Sequence, residues 1–213
     1  MRSLIGCMSG VALWLVATVA QAGGVVALSF DDGPDARLTP RLLDTLREAG
    51  VTATFCLVGQ RVVQHPDIAR RMYAEGHELC NHSWSHPILT GGNVAGQIGK
   101  TDAVIRAASG TTPRILRAPF GNTRHVGSCY GGRPFVGWGP TGDTMDWRYR
   151  LPARITRIAS SVRSGEIVLM HDIRRTTIAA VPSIITGLKA RGMRFVHSSE
   201  LWRNACNGRH AKQ

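Results

Sequence analysis

The sequence predicts an α/β fold with a parallel sheet, either doubly wound or closed into a barrel. Short apolar runs alternate along the chain with stretches of helical, 3.6-residue spacing. The residues with unusual chemistry fall just after the apolar runs, where a parallel sheet builds its sites. Size agrees: 213 residues at 43% hydrophobic suffice for one well-buried domain and exclude collagen, coiled coil and disorder.

The elements follow in order. Residues 25–30, almost wholly apolar, read as a buried parallel strand running into the polar loop Asp31-Asp32-Gly33-Pro34. Thr39-Pro40 offers an N-cap and a first-turn proline for a helix whose stripe of Leu42, Leu43 and Leu46 stops at Gly50. Residues 52–57 form the next strand, 66–75 a helix closed by Gly76, and 77–80 a strand ending at Asn81-His82. Val94, Ile98, Val104, Ile105 and Ala108 mark a helix over 94–108, followed by a brief strand at 114–117. A Gly-rich stretch at 121–142 holds one strand at 134–138. A helix at 152–163, a strand at 167–170, a helix at 178–191 and a strand at 193–196 complete the alternation. No linker-like segment divides the chain.

The N-terminus has its own logic. Arg2, a mostly apolar run over residues 4–20 and the small-x-small sequence Ala20-Gln21-Ala22 describe a secretory signal peptide over 1–22, cleaved after Ala22. An uncleaved anchor is the alternative, but the run is at the lower limit for spanning a bilayer and contains Gly, Ser and Thr. A secreted or periplasmic protein without stable membrane insertion is therefore expected, its catalytic domain covering 23–213 and existing as a monomer. Removing the leader leaves Cys56, Cys80, Cys129 and Cys206, an even number suited to an oxidising compartment. Cys56 and Cys80 lie in apolar stretches that suit buried thiols equally well, so the pairing stays open.

The formal charge is +12, and only three of the 26 basic residues are lysines. Nucleic-acid binding is not expected, because no zinc finger, RNA-binding aromatic pattern or helix-turn-helix accompanies the charge. An exported basic protein more simply meets anionic cell-wall polymers, and arginine spread over a solvated face is the plain alternative.

His82 and His86 stand four residues apart, which on a helical turn places both imidazoles on one face, as a shared metal requires. Of Asp31 and Asp32, one carboxylate can complete a two-His-one-carboxylate site and leave the other to accept a proton from water. Taken alone, Asp-Asp-Gly-Pro also makes a good solvated turn. His171 emerges from the most apolar strand, either as a structural residue or as a proton donor. Arg117 suits a carboxylate held in bidentate fashion, and Asp146 suits an imidazole whose tautomer must be set.

Five segments in this order, Ser29-Phe30-Asp31-Asp32-Gly33-Pro34, His82-Ser83-Trp84-Ser85-His86, Arg117-Ala118-Pro119-Phe120-Gly121, Asp143-Thr144-Met145-Asp146-Trp147 and Leu169-Met170-His171-Asp172, closely resemble the motifs of the NodB-like polysaccharide deacetylases, carbohydrate esterase family 4. The resemblance implies a distorted (β/α) barrel of about seven units and metal-dependent removal of N-acetyl groups from N-acetylglucosamine-containing glycans. Chitin oligomers, peptidoglycan and poly-N-acetylglucosamine are the substrates it suggests. By the same resemblance Asp32, His82 and His86 bind a divalent metal, zinc first, with cobalt or nickel also used. Asp31 is the base held by Arg117, and His171 the acid oriented by Asp146. The backbone N–H of Phe120 serves an oxyanion, and Trp147 and Leu169 line the acetyl pocket. Position 120 departs from the family's frequent Tyr and position 118 from its frequent Pro, while the Gly-rich 122–142 lacks an expected helix, so one barrel unit looks reduced. O-deacetylation of xylan by the same site and a catalytically silent glycan-binding domain are the alternatives.

Overall fold

Strand β1 (Val25–Asp31) lies at the middle of a parallel sheet, and six of its seven residues are buried, which accounts for its nearly unbroken apolar run. The computed structural model that shows this describes residues 23–202 and Cys206; the expected leader lies outside them. Beside β1 stand β2 (Thr54–Leu57) and then β3 (Glu78–Asn81) on one flank, and β6 (Glu166–His171) on the other. Strand β7 (Arg194–Phe195) pairs with the first two residues of β1. A separate antiparallel pair, β4 (Cys129–Tyr130) and β5 (Arg133–Pro134), sits in the Gly-rich stretch.

The predicted strands at 114–117 and 134–138 are reduced to single bridges. Leu116 bridges Asn81 on one side and Phe135 on the other, and Asp143 bridges Leu169 of β6. These contacts close the ring from β3 back to β6, so the sheet is a distorted barrel. Prolines at 113, 119 and 134 and glycines at 137, 139 and 142 keep both segments from pairing over longer stretches.

Helices α1 (Leu38–Ala49), α3 (Pro66–Ala74), α4 (Val94–Ser109), α5 (Pro152–Ser160) and α6 (Arg175–Ala190) alternate with the strands as expected. Gly50 and Gly110 end α1 and α4 in the left-handed conformation, which glycine adopts without a Cβ penalty. The expected N-cap role of Thr39 is not taken: Asp35 Oδ1 accepts the Arg37 and Leu38 amides instead, and the Thr39 hydroxyl donates to the Asp172 carboxylate at 2.6 Å. Two short helices, α2 (Gly59–Gln64) and α7 (Ser198–Leu201), were not predicted.

The main core fills the space between sheet and helices, with Leu28, Phe30, Leu42, Leu46, Phe55 and Val168 fully buried. Each such side chain contributes roughly 1.5–3 kcal/mol of burial. A second cluster of Cys56, Cys80, Ile115 and Val136, with Trp202 against it, lies apart from that core. Cys56 and Cys80 are register partners on β2 and β3 and form a disulfide, and Cys129 pairs with Cys206.

Candidate active site

The carboxyl ends of the strands bring the chemically unusual residues together. Asp31 ends β1, in register with Cys56 on one side and His171 on the other. Its Oδ1 accepts a hydrogen bond of 2.7 Å from Arg117 Nη1, which also donates to Ser29 Oγ at 2.8 Å. Arg117 Nη2 donates to the Gly137 carbonyl at 2.9 Å. The guanidinium is 1% exposed, so its charge is desolvated and its donors are spent on fixed acceptors. These bonds fix the orientation of the guanidinium and of the carboxylate it grips.

Asp32, with a positive φ, turns its side chain toward His82 and His86. His82 Nε2 lies 3.5 Å and His86 Nε2 3.3 Å from Asp32 Oδ1. The other nitrogen of His82 meets the Arg117 carbonyl at 2.8 Å, which gives Nδ1 the proton and leaves Nε2 free as a donor atom for a metal. Asp32 Oδ1 is buried, and no donor among the described residues hydrogen-bonds it. One ligand atom each from Asp32, His82 and His86 lies within 4.8 Å of the others. Two imidazole nitrogens converging on an unsatisfied buried carboxylate oxygen fit a divalent transition metal. Burial works against ionisation of Asp32, but the surrounding imidazoles of His82, His171 and His86 outweigh it and hold the carboxyl well below its usual range.

The two histidines do not sit on a helical turn as the spacing suggested. Ser83 and His86 both have positive φ, and side chains fold the loop back. The Asn81 side chain accepts the Ser83 amide, Gln97 accepts the Trp84 and Ser85 amides, and Ser83 Oγ accepts the His86 amide. Convergence of the imidazoles is thus achieved by a cross-braced loop. Among the described residues the positive-φ positions other than glycine are Asp32, Ser83, His86, Phe120 and Met145. All lie at this site, where backbone strain of roughly 1 kcal/mol or more apiece is held by the surrounding bonds.

Across from the triad, the Asp146 carboxylate accepts from His171 Nδ1 and from the His171 amide, each at 2.7 Å, and also from the Thr177 hydroxyl. Nε2 of His171 is left for chemistry. Burial opposes a charge on His171, but Asp146, with Asp31 and Asp32 beyond it, pushes its pKa up to about 9, so it is an imidazolium at neutral pH. Behind the site, burial pushes Asp172 up to about 7, and a Cβ on Gly33 would collide with its carboxylate.

The remaining expected residues are placed less tightly. Phe120 is 68% exposed, its ring edge-on to His86 with centroids 4.6 Å apart. Trp147 is 54% exposed and Leu169 is buried, its carbonyl taken by the Thr144 hydroxyl and amide. Sequence reasoning missed Ser29, Asn81, Gln97 and Thr177, hydroxyl and amide braces that stand in no local pattern that would expose them.

A family model for polysaccharide deacetylases matches residues 18–126 of the chain. This chain belongs to that family. A peptidoglycan-N-acetylglucosamine deacetylase, PgdA, of Listeria monocytogenes is 39% identical over 181 residues, 83% of this chain and 38% of the relative. The chain thus spans well under half the length of that relative. A chitooligosaccharide deacetylase of Sinorhizobium fredii is 35% identical and is matched over 86% of its length and 78% of this chain. Among solved structures, a family 4 acetyl xylan esterase from Clostridium thermocellum in complex with cobalt superposes with a TM-score of 0.75 at 38% identity, over 84% of this chain and 90% of that one. The polysaccharide deacetylase assignment agrees with the fold and with the five ordered segments.

Proposed function

We propose that this polysaccharide deacetylase is an exported, metal-dependent enzyme that removes N-acetyl groups from N-acetylglucosamine-containing glycans and releases acetate. The observation that carries the reading is the pairing around one point: a carboxylate fixed by Arg117 next to the Asp32, His82 and His86 triad, and an imidazolium fixed by Asp146 beyond it. Asp32, His82 and His86 would hold the metal, zinc first, with cobalt or nickel also suited to these donors. When bound, such a cation acidifies water and polarises an acyl oxygen.

The chain's own residues supply the rest. Asp31, immobilised by Arg117, accepts the proton of the attacking water. The Phe120 N–H is offered to the oxygen that gains charge as the acetyl carbon becomes tetrahedral. His171 then gives its proton to the sugar nitrogen, so that the amine leaves neutral. Asp146 keeps the resulting imidazole in the tautomer with hydrogen on Nδ1. Trp147 and Leu169 would border the acetyl methyl.

Acetate release from N-acetylglucosamine oligomers and from acetylated xylan, after chelation and after zinc or cobalt is restored, tests the proposal. Metal-dependent release from the oligomers is expected; none from folded, metal-loaded protein would overturn it. Likeness to an acetyl xylan esterase supports O-deacetylation as a second reading, since ester cleavage needs the same base and acid. Export rests on the leader sequence, and a secreted product beginning at Gly23 would establish it.

A further inference from the structure

Among the described residues, exposed charge at the catalytic end of the barrel is of one sign. On the loops that leave the strands there, and at the start of α6, Arg37, Arg124, Arg148, Arg150, Arg174 and Arg175 are exposed. The acidic residues of the same loops are engaged by neighbouring groups. Asp31 holds Arg117, Asp35 caps α1, Asp143 accepts the Met145 amide, Asp146 holds His171 and Asp172 binds Thr39. Asp32 belongs to the triad. Exposed Glu48 and Asp67 stand on α1 and α3 instead.

Four of these arginines stand on the two segments that meet at the Asp146–His171 pair. The Asp146 carboxylate clasps His171 and Thr177 at once, which brings the segment carrying Arg148 and Arg150 against the one carrying Arg174 and Arg175. The Arg174 amide also donates to the His171 carbonyl at 3.3 Å. Among the described residues none of the four has an ion pair or a side-chain hydrogen bond, whereas Arg47, Arg71, Arg117 and Arg133 all pair with carboxylates. Beside Arg148 and Arg150 in the chain stand exposed Trp147 and Leu151, at 54% and 69%.

Unpaired guanidiniums in such number repel one another and gain most from an anion brought among them; their planar fork matches a carboxylate. A neutral glycan would engage the apolar residues and leave these charges unanswered. We infer that Arg148, Arg150, Arg174 and Arg175 form a carboxylate-recognising collar, through which the enzyme selects acetamido glycans that carry carboxylates within a sugar or two of the scissile group. The inference rests on the deacetylase reading and adds the substrate's charge to it.

Four tetrasaccharides test it: neutral N-acetylglucosamine, alternating N-acetylglucosamine and N-acetylmuramic acid with free lactyl carboxylates, the methyl ester of the latter, and alternating glucuronate and N-acetylglucosamine. At low salt, kcat/KM for an acidic substrate should exceed that for its neutral counterpart about tenfold, and the advantage should shrink at high salt. Arg148→Gln/Arg150→Gln/Arg174→Gln/Arg175→Gln should collapse that ratio, while Arg157→Gln/Arg163→Gln, the same kind of charge loss on α5 and on the turn before β6, should leave it intact. Preference for both acids assigns the collar to charge alone, and preference for one assigns it to carboxylate spacing. Equal rates on acidic, esterified and neutral substrates would overturn the collar and spare the deacetylase reading. Absence of acetate from all four would overturn that reading; calorimetric binding of acid against ester would then decide the collar by itself, equal affinities refuting it.

Discussion

Asp146→Asn isolates the proton donor. In the folded protein the carboxylate is the leading influence that raises the His171 pKa, against burial, from 6.5 to about 9. That rise corresponds to about 3 kcal/mol of preference for the imidazolium. Because the pKa is raised, the charged form is complete below the unfolded value and disappears as pH climbs through the folded one. An activity that needs His171 as acid should therefore keep its alkaline limb near pH 9 in the wild type. Asparagine is nearly isosteric and still occupies the space beside Nδ1, yet it carries no charge. The limb should fall toward the ordinary imidazole value of about 6.5, since burial is then opposed only by the lesser influence of Asp31 and Asp32. At pH 8 the protonated fraction drops from about nine-tenths to about three-hundredths, a loss of about thirtyfold in kcat/KM on this ground alone. The assay is acetate release between pH 5.5 and 10 with the same metal in both proteins. An alkaline limb that stays in place in the variant would refute the assignment of His171 as the acid and Asp146 as its charge partner.

Other expectations are shorter to state. Asp31→Asn should abolish turnover with the metal retained, whereas His82→Ala should lose the metal, as metal content after desalting would reveal. Arg117→Lys keeps a positive charge but cannot reach Asp31, Ser29 and the Gly137 carbonyl together; kcat should fall at least about tenfold and the thermal midpoint should drop. Replacing both Cys56 and Cys80 with Ala frees a loop closed over a sequence separation of 24 and should cost about 3.5 kcal/mol in urea unfolding. His77 is buried with no hydrogen bond to its Nε2, and burial depresses its pKa to about 4. Its contribution to stability is present above pH 6.5 and is lost as pH falls toward 4, by about 3 kcal/mol; His77→Leu should flatten that acid limb in urea midpoints.

Much of this was legible before any coordinates. Apolar runs ending in Asp31, His82 and His171 announce strands that deliver polar residues to one end of a parallel sheet, and the leucine stripe stopping at Gly50 bounds α1 to within a residue or two. What escaped is what distant chain decides. Thr39 reads as an N-cap until Asp172, 133 residues away, claims its hydroxyl. Helix α2 begins at a glycine with no apolar period, because Trp84 and Thr101 press so closely that a Cβ there would meet both within 2.6 Å. The spacing of His82 and His86 correctly suggested convergence and wrongly suggested a helix, since side-chain braces from Asn81, Ser83 and Gln97 replace the helical turn. Pairing strength at 116 and 135 depends on how two prolyl and glycyl segments meet across the ring, a matter no local window contains.

The grip of Arg117 has a consequence for how the protein assembles. Its own amide binds the Asn81 carbonyl at the end of β3, while its side chain reaches Ser29 and Asp31 of β1 and the Val136 and Gly137 carbonyls. One residue therefore sews four stretches of chain across the part of the wall that has the least ladder bonding. Seam and Asp31 are stitched with the same thread, so the placement of that carboxylate depends on closure of the wall.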